Sequence, residues 1–321
     1  MPSNGSKAKV MRFSQSPCCN DLQAVATELG FDKIGIANAS EVPQSVIDRY
    51  NQWIASNSHG DMAYMERYGD VRCNPRLLLE NAQSVIVVAA NYHSPLLPRQ
   101  NAPKWASYAL GDDYHDVMRS KLSQLASFIQ ENWGGETRIC IDTAPIFERY
   151  WAQQAGVGFI GRNSMLILPE IGSYVFIGIV LTTVKFQPNE PCLIDCIGCN
   201  ACIRHCPGKA ISLRGIVDAR RCHSYLTIEY RGELPQELDL NGKVYGCDVC
   251  QNVCPHNLNA PTTKIVEFLP RKEILDITHK DINTMKQEDF SRIFRRSAIK
   301  RTKLTGLHRN NLHCTKNQGE N

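Results

Sequence analysis

Residues 196–207, CIGCNACIRHCP, contain four cysteines in the spacing C-x2-C-x2-C-x3-C, followed by a proline. Three cysteines at this step bind one [4Fe–4S] cluster, and in two-cluster ferredoxins the fourth cysteine ligates the other cluster. A second, incomplete copy of the pattern, CDVCQNVCP, occupies residues 247–255. The two copies together predict a ferredoxin-like domain that holds two [4Fe–4S] clusters.

The second copy lacks one ligand, because Val244 stands where a complete copy would have a cysteine. Cys222 lies alone between the two copies and is the most economical replacement. Exchange of the fourth ligands between the copies, as in two-cluster ferredoxins, then predicts two ligand sets. One set is Cys196, Cys199, Cys202 and Cys254, and the other is Cys206, Cys222, Cys247 and Cys250.

Structural zinc is the competing interpretation of these cysteines, since paired C-x2-C is also a zinc pattern. Zinc needs neither a third cysteine at the same step nor two Cys-Pro endings, so the spacing favours clusters. We interpret the six remaining cysteines as buried or free thiols. They are Cys18, Cys19, Cys73, Cys140, Cys192 and Cys314.

Length and composition bound the class of protein. The chain has 321 residues, of which 43% are hydrophobic and 21% charged, which is typical of a globular protein of roughly two domains. The longest apolar stretch, residues 174–184, is too short to span a membrane. The N-terminal residues lack the apolar region of a secretory signal. We therefore expect a soluble cytoplasmic protein, and we disfavour a disulfide framework for its cysteines.

Basic residues are concentrated at the end of the chain. The formal net charge is only +4, but residues 291–321 contain eight basic residues and one acidic residue. A basic segment on a mildly acidic body predicts a polyanionic partner, with nucleic acid first. A solvated terminal extension is the alternative.

Strand-like and helix-like segments alternate in the first 186 residues, which predicts a layered α/β (α+β) domain. The β-rich runs are residues 31–37, 84–90, 137–142 and 174–186, and the clearest helix covers residues 114–132. Beyond them the chain becomes turn-rich and then helical. We predict three units: a catalytic α/β domain (1–186), a ferredoxin-like domain (187–262) and a short helical basic segment (263–321).

Two patterns in the first unit resemble cofactor motifs only superficially. Residues 156–161, GVGFIG, match G-x-G-x-x-G, but they follow helix-like sequence, whereas a dinucleotide site must follow a strand and open a helix. Asp113-Tyr-His115 begins like a cobalt-ligating D-x-H-x-x-G motif, but Met118 stands where that motif has glycine. Neither pattern predicts a cofactor ligand.

Several blocks together resemble the epoxyqueuosine reductase family in the expected order over residues 20–310. They are GDMAYMERYGDVRCNP (60–75), YALGDDYH (108–115), IDTAPIFER (141–149), GFIGRNSMLI (158–167), both cysteine runs, and FRRSAIKR (294–301). That family is similar to the reductive dehalogenases, with a cobalamin-binding domain fused to a ferredoxin-like domain. The resemblance implies reduction of a cyclopentane epoxide on the tRNA wobble base to an alkene, the last step of queuosine synthesis.

Such a reduction consumes two electrons and two protons, so the protein needs a cofactor for the electrons and a nearby acid. Asp142 is the candidate acid, because it ends an apolar strand where burial could raise its pKa. Its alternative role is to cap the helix that we expect to begin at Pro145. The match of the IDTAPIFER block to the family favours catalysis.

The remaining site predictions concern cobalamin and tRNA. The expected cobalamin contacts are Arg67, Asn163, Ser164, Ser224, Cys247 and Asp248. The expected contacts to tRNA phosphates are Arg295, Arg296, Lys300, Arg301 and Lys303. Longer members of the family continue into helical repeats, of which only the start is expected here. We also expect a monomer and an external low-potential electron donor.

Two other functions remain open at this stage. A cobalamin- and cluster-dependent reductase of a small molecule, similar to a dehalogenase, would use the same redox centres without the basic segment. A ferredoxin-type electron carrier would use only the clusters, with the first domain as a docking module. Bound corrinoid would separate the enzymes from the carrier, and tRNA affinity would separate the two enzymes.

Overall fold

The computed structural model describes residues 17–96, 101–196 and 198–316. Residues 1–16 of the first predicted unit and residues 317–321 of the third lie outside the described residues. The expectation about a secretory signal concerns the same N-terminal residues and lies outside them as well. None of the described helices is long and apolar enough to cross a lipid bilayer.

The described residues form helices joined by a small number of strands. The α-helices are α1 (Cys19–Glu28), α2 (Gln44–Ala55), α3 (Gly69–Cys73), α4 (Tyr114–Trp133), α5 (Glu148–Gln154), α6 (Ala201–His205), α7 (His223–Ile228), α8 (Val249–Asn252), α9 (Lys272–Leu275), α10 (His279–Thr284), α11 (Gln287–Ile293) and α12 (Lys303–Lys316). The strands are β1 (Lys33–Asn38), β2 (Ser84–Asn91), β3 (Lys104–Trp105), β4 (Thr137–Cys140), β5 (Phe159–Ile160), β6 (Leu166–Ile167), β7 (Val175–Thr182) and β8 (Lys243–Tyr245). Short 3-10 helices cover Ala63–Met65, Pro75–Leu77, Ser107–Ala109, Ala219–Arg221, Pro255–Asn257, Val266–Phe268 and Ala298–Thr302.

A four-stranded sheet in the order β1-β2-β7-β4 forms the centre of the first unit. Each neighbouring pair is antiparallel. The expected layered mixture of helices and strands is confirmed, and the antiparallel pairing makes it an α+β arrangement. Every residue of β2 is buried, which explains the unbroken apolar run VIVVAA between its polar ends Ser84 and Asn91.

The two faces of the sheet are covered by different helices, so the sheet separates two hydrophobic clusters. Ile86, Val88 and Ala90 of β2 share one cluster with residues of α1 and α4. The alternate residues of β2 share the other cluster with Trp151 of α5. The side chains of a strand alternate between faces, and this alternation supplies both clusters from one strand. Asp113 caps the start of α4 by accepting a hydrogen bond from the amide of His115.

The strand predicted over residues 137–142 ends at Cys140 in the structure. Two residues later Asp142 has a φ of 45°, in the left-handed region that interrupts extended backbone. The run predicted over 174–186 forms a strand only from Val175 to Thr182. These early strand ends leave the polar residues that follow them in loops at the edge of the sheet.

A third hydrophobic cluster joins residues from all three predicted units. Strand β3 pairs in parallel with β8, and Trp105 packs beside Tyr245 in this cluster. Phe294, from the basic segment, lies 5.7 Å from Trp105 between ring centroids and is fully buried. The C-terminal segment is therefore a packed part of the fold.

Candidate active site and cluster-binding cysteines

The first cysteine group surrounds a small cavity. Cys196, Cys199, Cys202 and Cys254 line it, together with Ile167 and other residues of the neighbouring loops. Helix α6 begins just before Cys202, and Cys254 follows α8, so two short helices bring the two copies of the pattern together. Four thiols around a common cavity are the donor set that a [4Fe–4S] cluster requires.

The second cysteine group consists of the other four predicted ligands. The Cys250 thiol lies within electrostatic range of Cys206, Cys222 and Cys247. Burial raises the pKa of Cys250, and burial also raises the pKa of Cys247 to about 11. A thiolate in such a place needs a positive partner, and the iron of a cluster supplies one.

One backbone amide donates to a sulfur in each group. The amide of Arg162 donates to Cys196 Sγ at 3.4 Å, and the amide of Ala210 donates to Cys206 Sγ at 3.3 Å. Hydrogen bonds to cluster sulfurs are one of the features that set cluster potentials. The residues present therefore fit two clusters in their donor set and in the contacts of those donors.

Asp142 lies in the loop between β4 and α5 and does not cap a helix. Helix α5 begins at Glu148, with Phe147 at its N-cap position, and the amide of Asp142 donates to Glu148 Oε1 at 2.6 Å. The Asp142 side chain is 57% exposed. The Asp142 carboxylate is therefore exposed and is not used to cap α5.

His115 connects two carboxylates. Its Nδ1 lies 2.8 Å from Asp113 Oδ1, and its Nε2 lies 3.2 Å from Asp142 Oδ2. Burial would lower the pKa of His115, but the hydrogen bonds to these two carboxylates raise the pKa to about 9. At neutral pH the ring is therefore an imidazolium.

The pKa of Asp142 differs from the sequence-based expectation. Partial desolvation by the surrounding protein would raise it, as expected, but the hydrogen bond from His115 and the positive charge of that ring outweigh this effect and lower the pKa of Asp142. Sequence reasoning missed His115 as the cause. Asp142 is therefore ionised in this arrangement.

Glu148 is the protonated carboxyl group of the site. Burial, followed by the nearby charge of Asp142, raises the pKa of Glu148 to about 8. The next residue, Arg149, donates to the carbonyl oxygen of Ser164, whose hydroxyl in turn donates to the carbonyl of Gly215 at 2.8 Å. Hydrogen bonds thus run from the Asp142 loop to the cysteine-rich segment.

Tyr108 relates Asp142 to the loop that carries the second cysteine group. The hydroxyl of Tyr108 is within electrostatic range of both Asp142 and Asp248, and Asp248 stands between the predicted ligands Cys247 and Cys250. Tyr108 itself donates toward Tyr245 at 3.0 Å. Asp142 and Asp248 therefore act electrostatically on the same tyrosine hydroxyl.

Comparisons with known proteins match both parts of this site. Residues 72–143 match the family model described as "Epoxyqueuosine reductase QueG, DUF1730", and residues 195–257 match the "4Fe-4S double cluster binding domain" model. An epoxyqueuosine reductase of Cellulophaga algicola is 38% identical over 90% of this chain and 95% of its own length. The chain belongs to the epoxyqueuosine reductase family.

Further relatives agree over a similar extent. The epoxyqueuosine reductase of Leadbetterella byssophila is 39% identical over 90% of this chain and 96% of its own length. A crystal structure of an epoxyqueuosine reductase with an epoxyqueuosine-modified tRNA-Tyr stem loop superposes with a TM-score of 0.85 at 29% identity. That match covers 92% of this chain and 80% of the solved chain. Another, from Bacillus subtilis, has its catalytic aspartate loop swung out of the active site.

The cobalamin contacts expected for this epoxyqueuosine reductase family member lie in different environments. Asn163 is buried beside the first cysteine group, and its amide donates to the Cys250 carbonyl at 3.5 Å. Asp248 accepts two hydrogen bonds from Ser107, at 2.6 and 2.8 Å. Ser224 is half-buried in α7, and Arg67 is exposed. Asn163 and Asp248 therefore already have protein partners.

The basic residues expected to contact tRNA in this family member are all exposed. Arg301 is bound by Glu229 and lies 5.6 Å from the ring centre of Tyr64. Arg296 lies 3.8 Å from Asp116 at the surface. Arg295, Lys300 and Lys303 complete the group, which spans the end of α11 to the start of α12.

Sequence reasoning for this family member missed His115 and Glu148. His115 was considered only as a metal ligand, and both of its ring nitrogens are occupied by carboxylates. Glu148 lies inside the IDTAPIFER block, six residues after Asp142. Both residues lie in blocks that resemble the family, which marked them as candidates. Their contacts with Asp142 could not be predicted, because those contacts depend on the fold.

Proposed function

We propose that this chain reduces epoxyqueuosine in tRNA to queuosine. The observation that carries the proposal is the presence of two four-cysteine groups together with the exposed carboxylate of Asp142 in a chain of the epoxyqueuosine reductase family. Epoxide plus two electrons and two protons gives alkene plus water. The first cluster, the second cluster and cobalamin would pass the electrons, which an external low-potential donor supplies.

Cobalamin is the cofactor that the family resemblance implies, and the polar residues around Asp142 fit it chemically. Asp142, in the loop after β4, Arg149, in the first turn of α5, and Ser164, in the loop between β5 and β6, present charged and hydroxyl groups, as a cofactor rimmed with amides requires. When bound, cobalamin supplies a strongly reducing centre for the epoxide carbon. The chain's own contribution is to hold the two cysteine groups near it and to keep a proton source at Asp142.

Asp142 is the acid in this proposal. Opening of an epoxide leaves an alkoxide, which must be protonated before it can leave as water. A carboxyl group beside an imidazolium can deliver that proton where the substrate oxygen develops charge. The basic residues from Arg295 to Lys303 would bind tRNA phosphates, and the unpaired wobble base would enter the site. A tRNA substrate implies the cytoplasm, and we propose a monomer.

The test is a turnover assay on the reconstituted protein. The chain is loaded anaerobically with iron, sulfide and cobalamin, reduced, and incubated with epoxyqueuosine-containing tRNA, and digested nucleosides are measured by mass spectrometry. We expect about eight irons and one cobalt per chain, and conversion to queuosine. Asp142→Asn should retain the metals and lose at least 100-fold in rate.

Two results would contradict the proposal. Full cluster loading with neither retained cobalt nor conversion would favour the electron carrier. Retained cobalt with reduction of a halogenated small molecule, but no tRNA binding, would favour the dehalogenase-like reductase.

A further inference from the structure

His115 lies between two carboxylates, although protonation of the substrate by Asp142 alone would need only one of them. Its two ring nitrogens face two different carboxylates, Asp113 at 2.8 Å and Asp142 at 3.2 Å. Carboxylates only accept hydrogen bonds, so each nitrogen must carry a hydrogen for both contacts to be favourable. The geometry therefore selects the imidazolium form, without reference to any titration.

The ring is held in place from other directions as well. Tyr114 stacks on it at 4.0 Å between ring centroids, and the His115 amide donates to Asp113 as part of the α4 cap. The His115 side chain is 28% exposed, so solvent protons can reach it. The charged and titratable groups around the His115–Asp142 pair are Asp113, Tyr114, Glu148, Arg149, Arg296, Tyr64, Tyr108 and Arg301.

These contacts bear on how Asp142 can act. The imidazolium lowers the pKa of Asp142, so the resting carboxylate is ionised and has no proton of its own to give. His115 Nε2 and the Tyr114 hydroxyl both donate to Asp142, but burial raises the pKa of Tyr114, so the imidazolium is the more acidic of these two donors. Glu148 contacts the backbone amide of Asp142, whereas the His115 ring contacts the carboxylate itself, so the ring is placed to resupply a proton to Asp142.

We propose that His115 is a positioning residue that stores the proton which Asp142 delivers. The inference rests on the proposed function, in which Asp142 is the acid. The Nε2–H bond of His115 breaks as an O–H bond forms on Asp142 Oδ2, and Asp142 releases a proton to the alkoxide oxygen of the opened epoxide. No electrons move in this step. The net transfer from imidazolium to alkoxide is downhill, because an alkoxide is by far the stronger base.

Asp113 fixes the tautomer of the neutral His115 ring. When Nε2 has lost its proton, the remaining hydrogen stays on Nδ1, where Asp113 holds it, so the ring keeps one tautomer. His115 then takes a new proton from solvent at Nε2. Asp113 stabilises the imidazolium. The Asp113 carboxylate therefore also determines the pH above which His115 has lost its Nε2 proton.

The test follows single-turnover rates against pH in the loaded protein with saturating tRNA. We expect the wild-type rate to fall tenfold per pH unit above about 9. Asp113→Asn retains a helix-capping side chain but removes the charge, and it should move this midpoint down by at least one pH unit. His115→Gln should lower the rate at pH 8 by at least 100-fold and abolish the inflection.

Asp116→Asn is the matched control, because it removes a carboxylate from the same first turn of α4 without contacting His115. It should leave the midpoint unchanged. A second readout is independent of turnover: the ring resonance of His115, assigned by its loss in His115→Gln, should titrate near 9 and shift down in Asp113→Asn.

Outcomes separate this inference from the proposed function. Suppose that wild type converts the substrate, Asp142→Asn does not, and Asp113→Asn has the same pH midpoint as wild type. The proposal that His115 stores the proton is then wrong, and the proposed function is unaffected. An unshifted His115 resonance in folded Asp113→Asn would overturn the inference in the same way. If wild type itself fails to convert epoxyqueuosine, the proposed function fails first.

Discussion

Arg301 and Glu229 form an ion pair through two parallel hydrogen bonds, with nitrogen–oxygen distances of 2.9 and 2.8 Å. The pair joins the segment before α12 to the end of α7, and the Glu229 side chain is only 19% exposed. A cation held in this way is already neutralised by the protein. Its contribution to tRNA binding should therefore differ from that of Arg295, for which the described part of the chain gives no ion pair.

We predict that neutralising Arg295 weakens tRNA binding more than neutralising Arg301. Each phosphate contact contributes about 0.7 to 0.9 to the slope of log affinity against log salt. Arg295→Gln should reduce the slope by about that amount, and Arg301→Gln should reduce it less, since Glu229 already offsets that charge. Binding titrations at several salt concentrations measure both slopes. Equal losses would contradict the prediction, and Lys185→Gln, an exposed basic residue outside the segment, serves as the control.

A second prediction concerns the cysteine groups. Cys222→Ser should remove one cluster and leave the other, because only one group contains it, so iron should fall from about eight to about four per chain. Cys254→Ser should do the same for the other group. Cys192→Ser is the matched control, since Cys192 lies near the first group but is outside the predicted ligand sets. Retention of eight irons in Cys222→Ser would refute the assignment.

Gly208 gives a third prediction, because the backbone approaches it too closely for any side chain. A Cβ at this position would lie 1.7 Å from the carbonyl oxygen of Arg221, next to Cys222. Gly208→Ala should therefore displace the loop that carries Cys222 and lower iron content toward four per chain. Gly69→Ala is the control, since its Cβ would meet nothing closer than 3.8 Å. Full iron loading in Gly208→Ala would show that the loop can move without cost to the cluster.

The fourth prediction uses the carboxyl group of Glu148. Its pKa is raised from 4.5 to about 8, so the folded state binds a proton that the unfolded state has lost between these pH values. The free energy of unfolding should therefore fall as pH rises from about 4.5 to 8, and be constant with respect to this group above that range. Glu148→Gln cannot ionise, so its stability should fall less over this interval. Thermal unfolding of both proteins from pH 5 to 9 measures the difference, and identical curves would contradict the prediction.

The local sequence was sufficient to predict the position of the strand and the helix at the centre of the first unit. The apolar run around Val87 is long enough for an interior strand, and α4 lies between a capping aspartate and a glycine, so its bounds were predicted within a residue. The direction of strand pairing could not be predicted in this way. Apolar runs show that a strand is buried, but they carry no information about which neighbour it pairs with or in which direction.

The cysteine spacing also indicated the clusters directly, because three of the four ligands predicted for the first cluster lie within residues 196–202. The contact between His115 and Asp142 could not be found from the sequence, since it requires the start of α4 to meet the loop after β4. The sign of the pKa change at Asp142 depends on that contact. The ion pair between Arg301 and Glu229 likewise joins residues that are distant in sequence. It reduces the positive charge that Arg301 can offer to tRNA, which a count of basic residues does not show.

The pairing of β3 with β8 has a consequence for biosynthesis. Trp105 obtains its partners Tyr245 and Phe294 only from residues that leave the ribosome much later. Until then the nascent catalytic half exposes an indole and an unpaired strand, which are features that chaperones recognise and that favour aggregation. Completion of the N-terminal half must therefore wait for the segments that flank and follow the cysteines. The two halves of the chain therefore finish folding together, and neither should reach its full stability alone.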